Sequence, residues 1–341
     1  MNRATLVSIP DALTHPTPRE DARYLLGIDG GATKTLAAVL DIEQDMLYLG
    51  RSGPSNEDAV GAKAAVQALL DAAGEALQAA GIGEPDLATA VAAVAGTDTA
   101  SVSRHVRNAR GEAWIVVNDV VGAWATATGG GPGVAAIAGT GSNVFGVGPG
   151  GRSWRTGGWG HLLGDEGSGY WLGLQSIRAA LRDRDASGPE TALGAAACEF
   201  FGCDSVEAVA SLVYSKPLTK GEIAAFAIDT AKLAEQGDDV ARELFERGAT
   251  LLGGQIAAVI EQVGLEGSFP MGLIGSAYKA GELYLAPLRR RVAEVAPGAE
   301  ISAVEMLPVG GSLILAAKAC GQEQRVRAEA LAILLDRALA A

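Results

Sequence analysis

Apolar runs of strand length, each closed by a glycine-rich or acid-bearing turn, alternate along this chain with longer stretches of helical period. Residues 24–29 and 36–41 are two such runs, and the turn Asp29-Gly30-Gly31-Ala32-Thr33-Lys34 joins them into a predicted hairpin. Residues 46–50 can add a third antiparallel strand. The loop Gly53-Pro54-Ser55-Asn56 follows, with Ser55 or Asn56 able to cap a helix predicted over 57–80 and ended by Gly81. Then come a buried strand at 87–94, the turn Ala95-Gly96-Thr97-Asp98, and a helix to about residue 108. A strand at 114–117 ends at Asn118-Asp119, and a helix runs over 120–127. A three-strand meander followed by alternating helix and strand describes an α/β layer with a mixed sheet.

The pattern then restarts. Residues 133–138 and 144–147 are apolar strands around the turn Gly139-Thr140-Gly141-Ser142-Asn143, which repeats the first hairpin about 110 residues later. Two such turns argue for a duplicated unit, each half closing one side of a cleft. Residues 152–155 lead into a glycine-rich loop, and a helix is predicted from Ser168 to Arg184. Helices with short breaks fill 190–264. A strand at 269–274 turns at Gly275-Ser276-Ala277-Tyr278-Lys279 into a helix, and a last strand is expected over 301–306. Helix is expected again from Leu313, after the segment Pro308-Val309-Gly310-Gly311-Ser312. The domain reading is a loose tail (1–22), a first domain (23–126) onto which an amphipathic end (323–341) packs back, and a second domain (127–322) with a helical insertion.

Residues 157–173 contain seven glycines among seventeen positions, together with Trp159, Asp165, Glu166, Trp171 and one of the chain's three histidines, His161. Glycine is favoured where backbone bends sharply or approaches a ligand closely. Buried-type tryptophans do not suit a plain linker, so this stretch reads as a small-molecule binding loop running into a helix. His161 has no partner ligands at helical spacing, which argues against a histidine metal site; its expected role is to fix the loop by hydrogen bonds.

Composition narrows the function classes. With 341 residues, 48% hydrophobic and 20% charged, the chain is globular and long enough for two cores. A net charge of −13 disfavours nucleic acid as a partner, and the one basic run, Arg289-Arg290-Arg291, reads as a solvated helix face. Cys198, Cys203 and Cys320 are too few for a disulfide framework and fit a reducing cytoplasm. Neither an apolar signal core nor an 18-residue apolar span is present, so export and membrane insertion are not expected.

The two hairpin turns carry candidate chemistry. Glycines beside a hydroxyl expose backbone N–H groups to phosphate, which suits Gly30, Gly31, Thr33 and Lys34 in the first turn and Gly139, Thr140 and Gly141 in the second. Asp29 is placed to hold a hydrated Mg²⁺. Neither turn is a P-loop, and the first sheet has no Gly-x-Gly-x-x-Gly strand-to-helix turn of the dinucleotide-binding kind.

Four blocks in order, residues 27–35, 118–123, 139–143 and 272–279, resemble sugar kinases of the actin/hexokinase/Hsp70 ATPase superfamily. The joining block 157–168 resembles the BadF/BadG/BcrA/BcrD ATPase group, and within it the N-acetylglucosamine kinases. The resemblance implies two RNase-H-like domains, each a five-stranded mixed sheet with helices, around a cleft. It also implies an ATP- and Mg²⁺-dependent kinase acting on the 6-hydroxyl of an amino-sugar, and a homodimer. Asp119 matches the general base. Asn56, Asp119, Ser142, Asn143, Gly158, Trp159, Gly160 and Asp165 match sugar contacts, and Thr33 and Thr140 match phosphate contacts. Gly275 and Lys279 match nucleotide contacts, with Gly310-Gly311 as a second adenosine-side turn. A glucosamine kinase is the nearest alternative, and an ATPase switch acting on a partner protein the next. Sister activators hold an iron–sulfur cluster on cysteines, and this chain has none before Cys198.

Overall fold

The computed structural model describes residues 7, 9–31, 33–96, 99–111, 114–215 and 218–340. β1 (Tyr24–Gly30) and β2 (Thr35–Asp41) pair antiparallel with Gly30 opposite Thr35, and β3 (Met46–Ser52) pairs on β2. β4 (Leu87–Val94) and β5 (Trp114–Asn118) run parallel to β1, so the order is β3-β2-β1-β4-β5. β1 is central and covered on both faces. Leu25, Leu26 and Ile28 are all fully buried, which is why its sequence is an unbroken apolar run rather than an alternating one.

The same topology is built again from β6 (Gly133–Ala138), β7 (Ser142–Val147), β8 (Ser153–Gly157), β9 (Phe269–Ile274) and β10 (Ala299–Ala303). Their order is β10-β9-β6-β7-β8, with β6, β7 and β8 antiparallel and β6, β9 and β10 parallel. Strand for strand, β6 answers to β1 and β7 to β2. The duplication read from the two turns is therefore real, and the fold is the expected pair of five-stranded mixed sheets with helices.

Helices complete both halves. α1 (Asp11–Thr14) precedes the first sheet; α2 (Glu57–Val60), α3 (Ala62–Ala80) and α4 (Ala100–Arg110) lie between its strands in sequence. α5 (Asp119–Thr128) leaves β5. Between β8 and β9 come α6 (Gly169–Arg184), α7 to α10 (Leu193–Phe201, Val206–Ser215, Lys220–Ala225, Ala227–Gln236) and the long α11 (Asp239–Val263). α12 (Glu282–Ala293) links β9 to β10, α13 (Pro308–Ala319) follows β10, and α14 (Ala328–Ala340) packs Leu331 and Leu335 into the core beside Leu47 of β3. Among the described residues no helix is long and apolar enough to cross a membrane.

The helices that follow the last strand of each half are exchanged. α5 packs on β6 and β9, whereas α13 packs on β1 and β4, and the two helices press against each other. Side chains are missing where they meet. A Cβ on Gly311 would lie 2.1 Å from the Gly122 carbonyl oxygen and 2.2 Å from Thr126 Oγ1, and one on Gly122 would lie 2.7 Å from Ala93 Cβ. The Ser312 hydroxyl, fully buried, donates to the Ile28 carbonyl at 2.7 Å and ties α13 to β1. One core cluster consequently spans both sheets, from Leu25 and Val91 to Ala135 and Phe145.

Several expectations change. Gly310 and Gly311 do not form an adenosine-side turn; both are buried in the first turn of α13, whose Pro308 start the glycine pair obscured. β8 was expected as a lead-in to the loop. It is an edge strand, and an edge strand need not carry a full apolar run. β10, the opposite edge, lies earlier than the expected 301–306, and the helix over 57–80 breaks at Gly61, where φ is +80°. Residues 9–22 are not a loose tail. Leu13 is fully buried, and the Thr17 and Arg19 N–H groups donate to Ala319 and Cys320 carbonyls at 3.1 and 3.0 Å, satisfying acceptors that a helix end leaves open. Residues 1–6, Ala32 in the first hairpin turn, and Thr97 and Asp98 fall outside the described residues.

Because alanine is the better helix former, Gly→Ala inside an uncrowded helix stabilises. Gly311→Ala is expected to do the reverse, lowering unfolding free energy by about 1–3 kcal/mol through overpacking. Gly254→Ala on α11, where a Cβ would meet nothing within 4 Å, is the control and leaves stability equal or higher. Urea denaturation of both variants checks this; a stabilised Gly311→Ala would refute the close crossing.

Candidate active site

The carboxyl ends of β1, β4 and β5 share one edge, the place where open α/β sheets bind ligands. Asp29 lies at that end of β1. The Gly31 N–H donates to the Lys34 carbonyl at 3.0 Å to close the hairpin turn, and the Ser55 N–H donates to the Gly31 carbonyl at 3.0 Å. Gly30 has no side chain for a steric reason: its Cβ would lie 2.4 Å from Ser55 Oγ. The loop bearing Asn56 is thus held against the turn, where Asn56 is partly buried and Thr33 and Lys34 are exposed.

Asp119 is the first residue of α5 rather than the last of a strand. Asn118 caps the helix, its side-chain oxygen accepting from the Val120 N–H at 3.3 Å, while its amide donates to the Gly96 carbonyl at 2.9 Å. These bonds fix Asp119 at the edge that also carries Asp29. Burial pushes Asp29 up to about 6, against the pull of Lys34. Asp119 is pushed up to about 7 by burial first and by the Asp29 charge second; the Val120 N–H and the Arg155 guanidinium oppose the rise.

The second half presents its own edge. The Gly139 N–H donates to the Gly141 carbonyl at 3.0 Å, and the N–H groups of Gly169 and Tyr170, in the first turn of α6, donate to the Gly139 and Thr140 carbonyls at 2.8 and 3.2 Å. Thr140 stays exposed. Asp165 is buried with φ at +62°, and its carboxylate accepts from the Ser142 N–H at 3.1 Å, while the Ser142 hydroxyl donates to the Glu166 carbonyl at 2.9 Å. Asp165 and Ser142 therefore lock the glycine-rich loop to the Gly139–Gly141 turn. Ser168 caps α6 by accepting from the Trp171 N–H. Among the described residues His161 makes no side-chain hydrogen bond that would fix the loop as expected. Its described contact is edge-on to the Tyr170 ring at 5.2 Å.

Gly157 and Gly158, at φ +73° and +68°, lie beneath polar side chains: their Cβ atoms would come within 2.7 Å of Gln255 Oε1 and 2.8 Å of Asn143 Nδ2. Six buried side-chain nitrogen or oxygen atoms lack a hydrogen-bond partner among the described residues. Four of them, Asn143 Oδ1, Gln255 Oε1 and both terminal nitrogens of Arg155, belong to this strand-and-helix wall. Buried polar groups are nearly always paired, so such a concentration marks a surface built for a ligand. Trp159, half exposed, lies over the Arg155 guanidinium at 5.3 Å, and Gly160 follows it at φ +80°.

Arg155, Gln255 and Glu166, whose carboxylate accepts from Gln255 Nε2 at 2.9 Å, had no assigned role in the sequence. Gln255 carried a readable signal: it sits three residues after Leu252 and four before Val259 on the apolar stripe of α11. Arg155 gave none once β8 went unread.

Of the two positions matched to nucleotide contacts, Gly275 is exposed at φ +123°, and its Cβ would meet the Ala138 carbonyl oxygen at 2.3 Å. That puts Gly275 against the start of the Gly139–Gly141 turn, and Lys279, also exposed, follows in a short 3₁₀ turn (Ala277–Ala280). No group of three or more His, Cys, Asp or Glu among the described residues is set to hold a metal. Asp29 alone suits instead an ion of the Mg²⁺ kind, which can take a single carboxylate, directly or through water, and complete its shell with water and phosphate. A surface hollow of about 210 Å³ between Leu13, Trp124 and Lys318 lies apart from these residues.

Comparison with known proteins agrees with this layout. The model of the BadF/BadG/BcrA/BcrD ATPase family matches residues 26–316. An N-acetylmuramic acid/N-acetylglucosamine kinase of Clostridium acetobutylicum is 31% identical over 249 residues, 72% of this chain and 81% of that protein. An N-acetyl-D-glucosamine kinase of Dictyostelium discoideum is 30% identical over 312 residues, 85% of this chain and 97% of its own. A solved structure from Chromobacterium violaceum, provisionally named an N-acetylglucosamine kinase, superposes with a TM-score of 0.68 at 25% identity, covering 86% of this chain and 99% of that one. With the match running through both sheets and the loop between them, this chain belongs to the BadF/BadG/BcrA/BcrD ATPase family.

Proposed function

We propose that this protein is an ATP-dependent amino-sugar kinase that transfers the γ-phosphoryl group to the 6-hydroxyl of N-acetylglucosamine. The observation that carries the reading is Asp119, fixed by the Asn118 cap at the opening of α5 on the edge that carries Asp29, while the other half holds the unpaired polar atoms of Asn143, Arg155 and Gln255; burial raises the Asp119 carboxyl to about 7. A base works best when its pKa lies near the operating pH. Asp119 accepts the proton of the 6-hydroxyl as that oxygen bonds to phosphorus and the bond to the ADP oxygen breaks. The backbone N–H groups and hydroxyls of the Thr33 and Thr140 turns suit the phosphates, Gly275 and Lys279 the nucleotide, and Asn56, Asn143, Gly158 and Trp159 the sugar. Mg²⁺, when bound beside Asp29, neutralises developing phosphate charge.

The two named relatives support the N-acetylated sugar. The redox-activator alternative has no support here, because Cys198 and Cys203 lie in the helical insertion and Cys320 is buried in the turn after α13.

ADP release should be stimulated by N-acetylglucosamine more than by glucosamine, N-acetylmuramic acid, N-acetylmannosamine or glucose; stimulation by no sugar would end the proposal. Asp119→Asn should lower kcat by about 10²-fold or more while nucleotide binding persists. For the wild type, kcat/KM should rise with pH and level off above an acid limb near 7, where Asp119 loses its proton.

Stability should run the other way. A carboxyl raised in the folded state binds more protons there than when unfolded, so stability falls as pH climbs from about 4 to about 7. Asp119→Asn removes that loss and should raise Tm at pH 8 but little at pH 4. An unchanged or lower Tm at pH 8 would show that Asp119 is not strained by its surroundings.

A further inference from the structure

The geometry points to Arg155 as a further catalytic residue, one whose guanidinium binds the phosphoryl group in flight rather than the resting sugar. This rests on the kinase reading above. Arg155 is 8% exposed, and neither terminal nitrogen has a hydrogen-bond partner among the described residues. Leaving a charged, desolvated donor pair unbonded is costly. The residue is nevertheless held in place, on the edge strand β8 and under the Trp159 ring at 5.3 Å.

Its partner must be an acceptor supplied from outside. A guanidinium offers a planar fork that matches a carboxylate or a phosphoryl group through two parallel bonds. Arg155 and Asp119 feel each other's charge although they come from opposite halves of the chain, one on β8 and the other opening α5. The oxygen whose proton Asp119 receives is the atom to which phosphorus becomes attached. A buried cation with both terminal nitrogens free, whose charge reaches that base, is suited to meet the transferring group. In the step itself, the 6-hydroxyl proton passes to Asp119, the O6–phosphorus bond forms, and the bond to the ADP oxygen breaks. The charge spread over the three phosphoryl oxygens then meets the free Arg155 nitrogens. Neutral sugar hydroxyls would use the fork less well, and Asn143 and Gln255 already offer them acceptors.

Two measurements separate this from a structural or sugar-binding role. In Arg155→Met, kcat should fall by about 100-fold or more, with KM for sugar and for ATP within about threefold of wild type. Calorimetry should show the sugar 6-phosphate bound about tenfold or more weakly by Arg155→Met, with affinity for the unphosphorylated sugar unchanged. Arg155→Lys keeps the charge under Trp159 and should recover part of both losses. Equal weakening for sugar and sugar phosphate would make Arg155 a sugar-binding or scaffold residue and overturn the inference. So would near-normal kcat in Arg155→Met. A wild-type protein that phosphorylates no amino-sugar would instead remove the kinase reading on which the inference stands.

Discussion

The tight crossing of α5 and α13 is the constraint on which the rest of the molecule depends. It requires glycine at 122 and 311, because carbonyl and side-chain atoms occupy the space where a Cβ would go. Each helix starts where one sheet ends and packs on the other sheet, so the halves share one core instead of merely abutting. Asp119 opens α5, directly after the capping Asn118. The same packing that joins the halves therefore sets where Asp119 stands.

Electrostatics at the strand edges are unfavourable for folding and suited to chemistry. Two carboxylates at one strand edge, both pushed upward by burial, meet few compensating groups: Lys34 beside Asp29 and Arg155 beside Asp119. A structure selected for stability alone would replace such a pair. In the other half of the chain, Asn143, Arg155 and Gln255 repeat the theme with unpaired polar atoms. Both features suit a site that binds a sugar and a nucleotide's phosphates.

Much of the fold was legible in the sequence because its signals were local. The two hairpin turns, the apolar central strands and the cap at Ser168 each combine turn chemistry with period. Asp119 was legible as a position, although its placement as the opening residue of α5 depended on the Asn118 cap. What escaped depends on distant partners. Gly310 and Gly311 look like a turn until Met306 and Leu335 are packed on the first and α5 on the second, and residues 9–22 look like a tail until the end of α13 offers its carbonyls. β8 is polar because it is an edge, which hid Arg155. Gln255 needed the register of a 25-residue helix to be seen as the polar exception on an apolar stripe.

The central claim is phosphoryl transfer to one particular oxygen, and the product tests it most directly. Incubation of the protein with ATP, Mg²⁺ and N-acetylglucosamine, followed by phosphorus and proton NMR, should show a new phosphate monoester coupled to the two protons on carbon 6, formed in step with ADP. Release of inorganic phosphate with the sugar unchanged, or a phosphate coupled to the proton on carbon 1, would contradict the account.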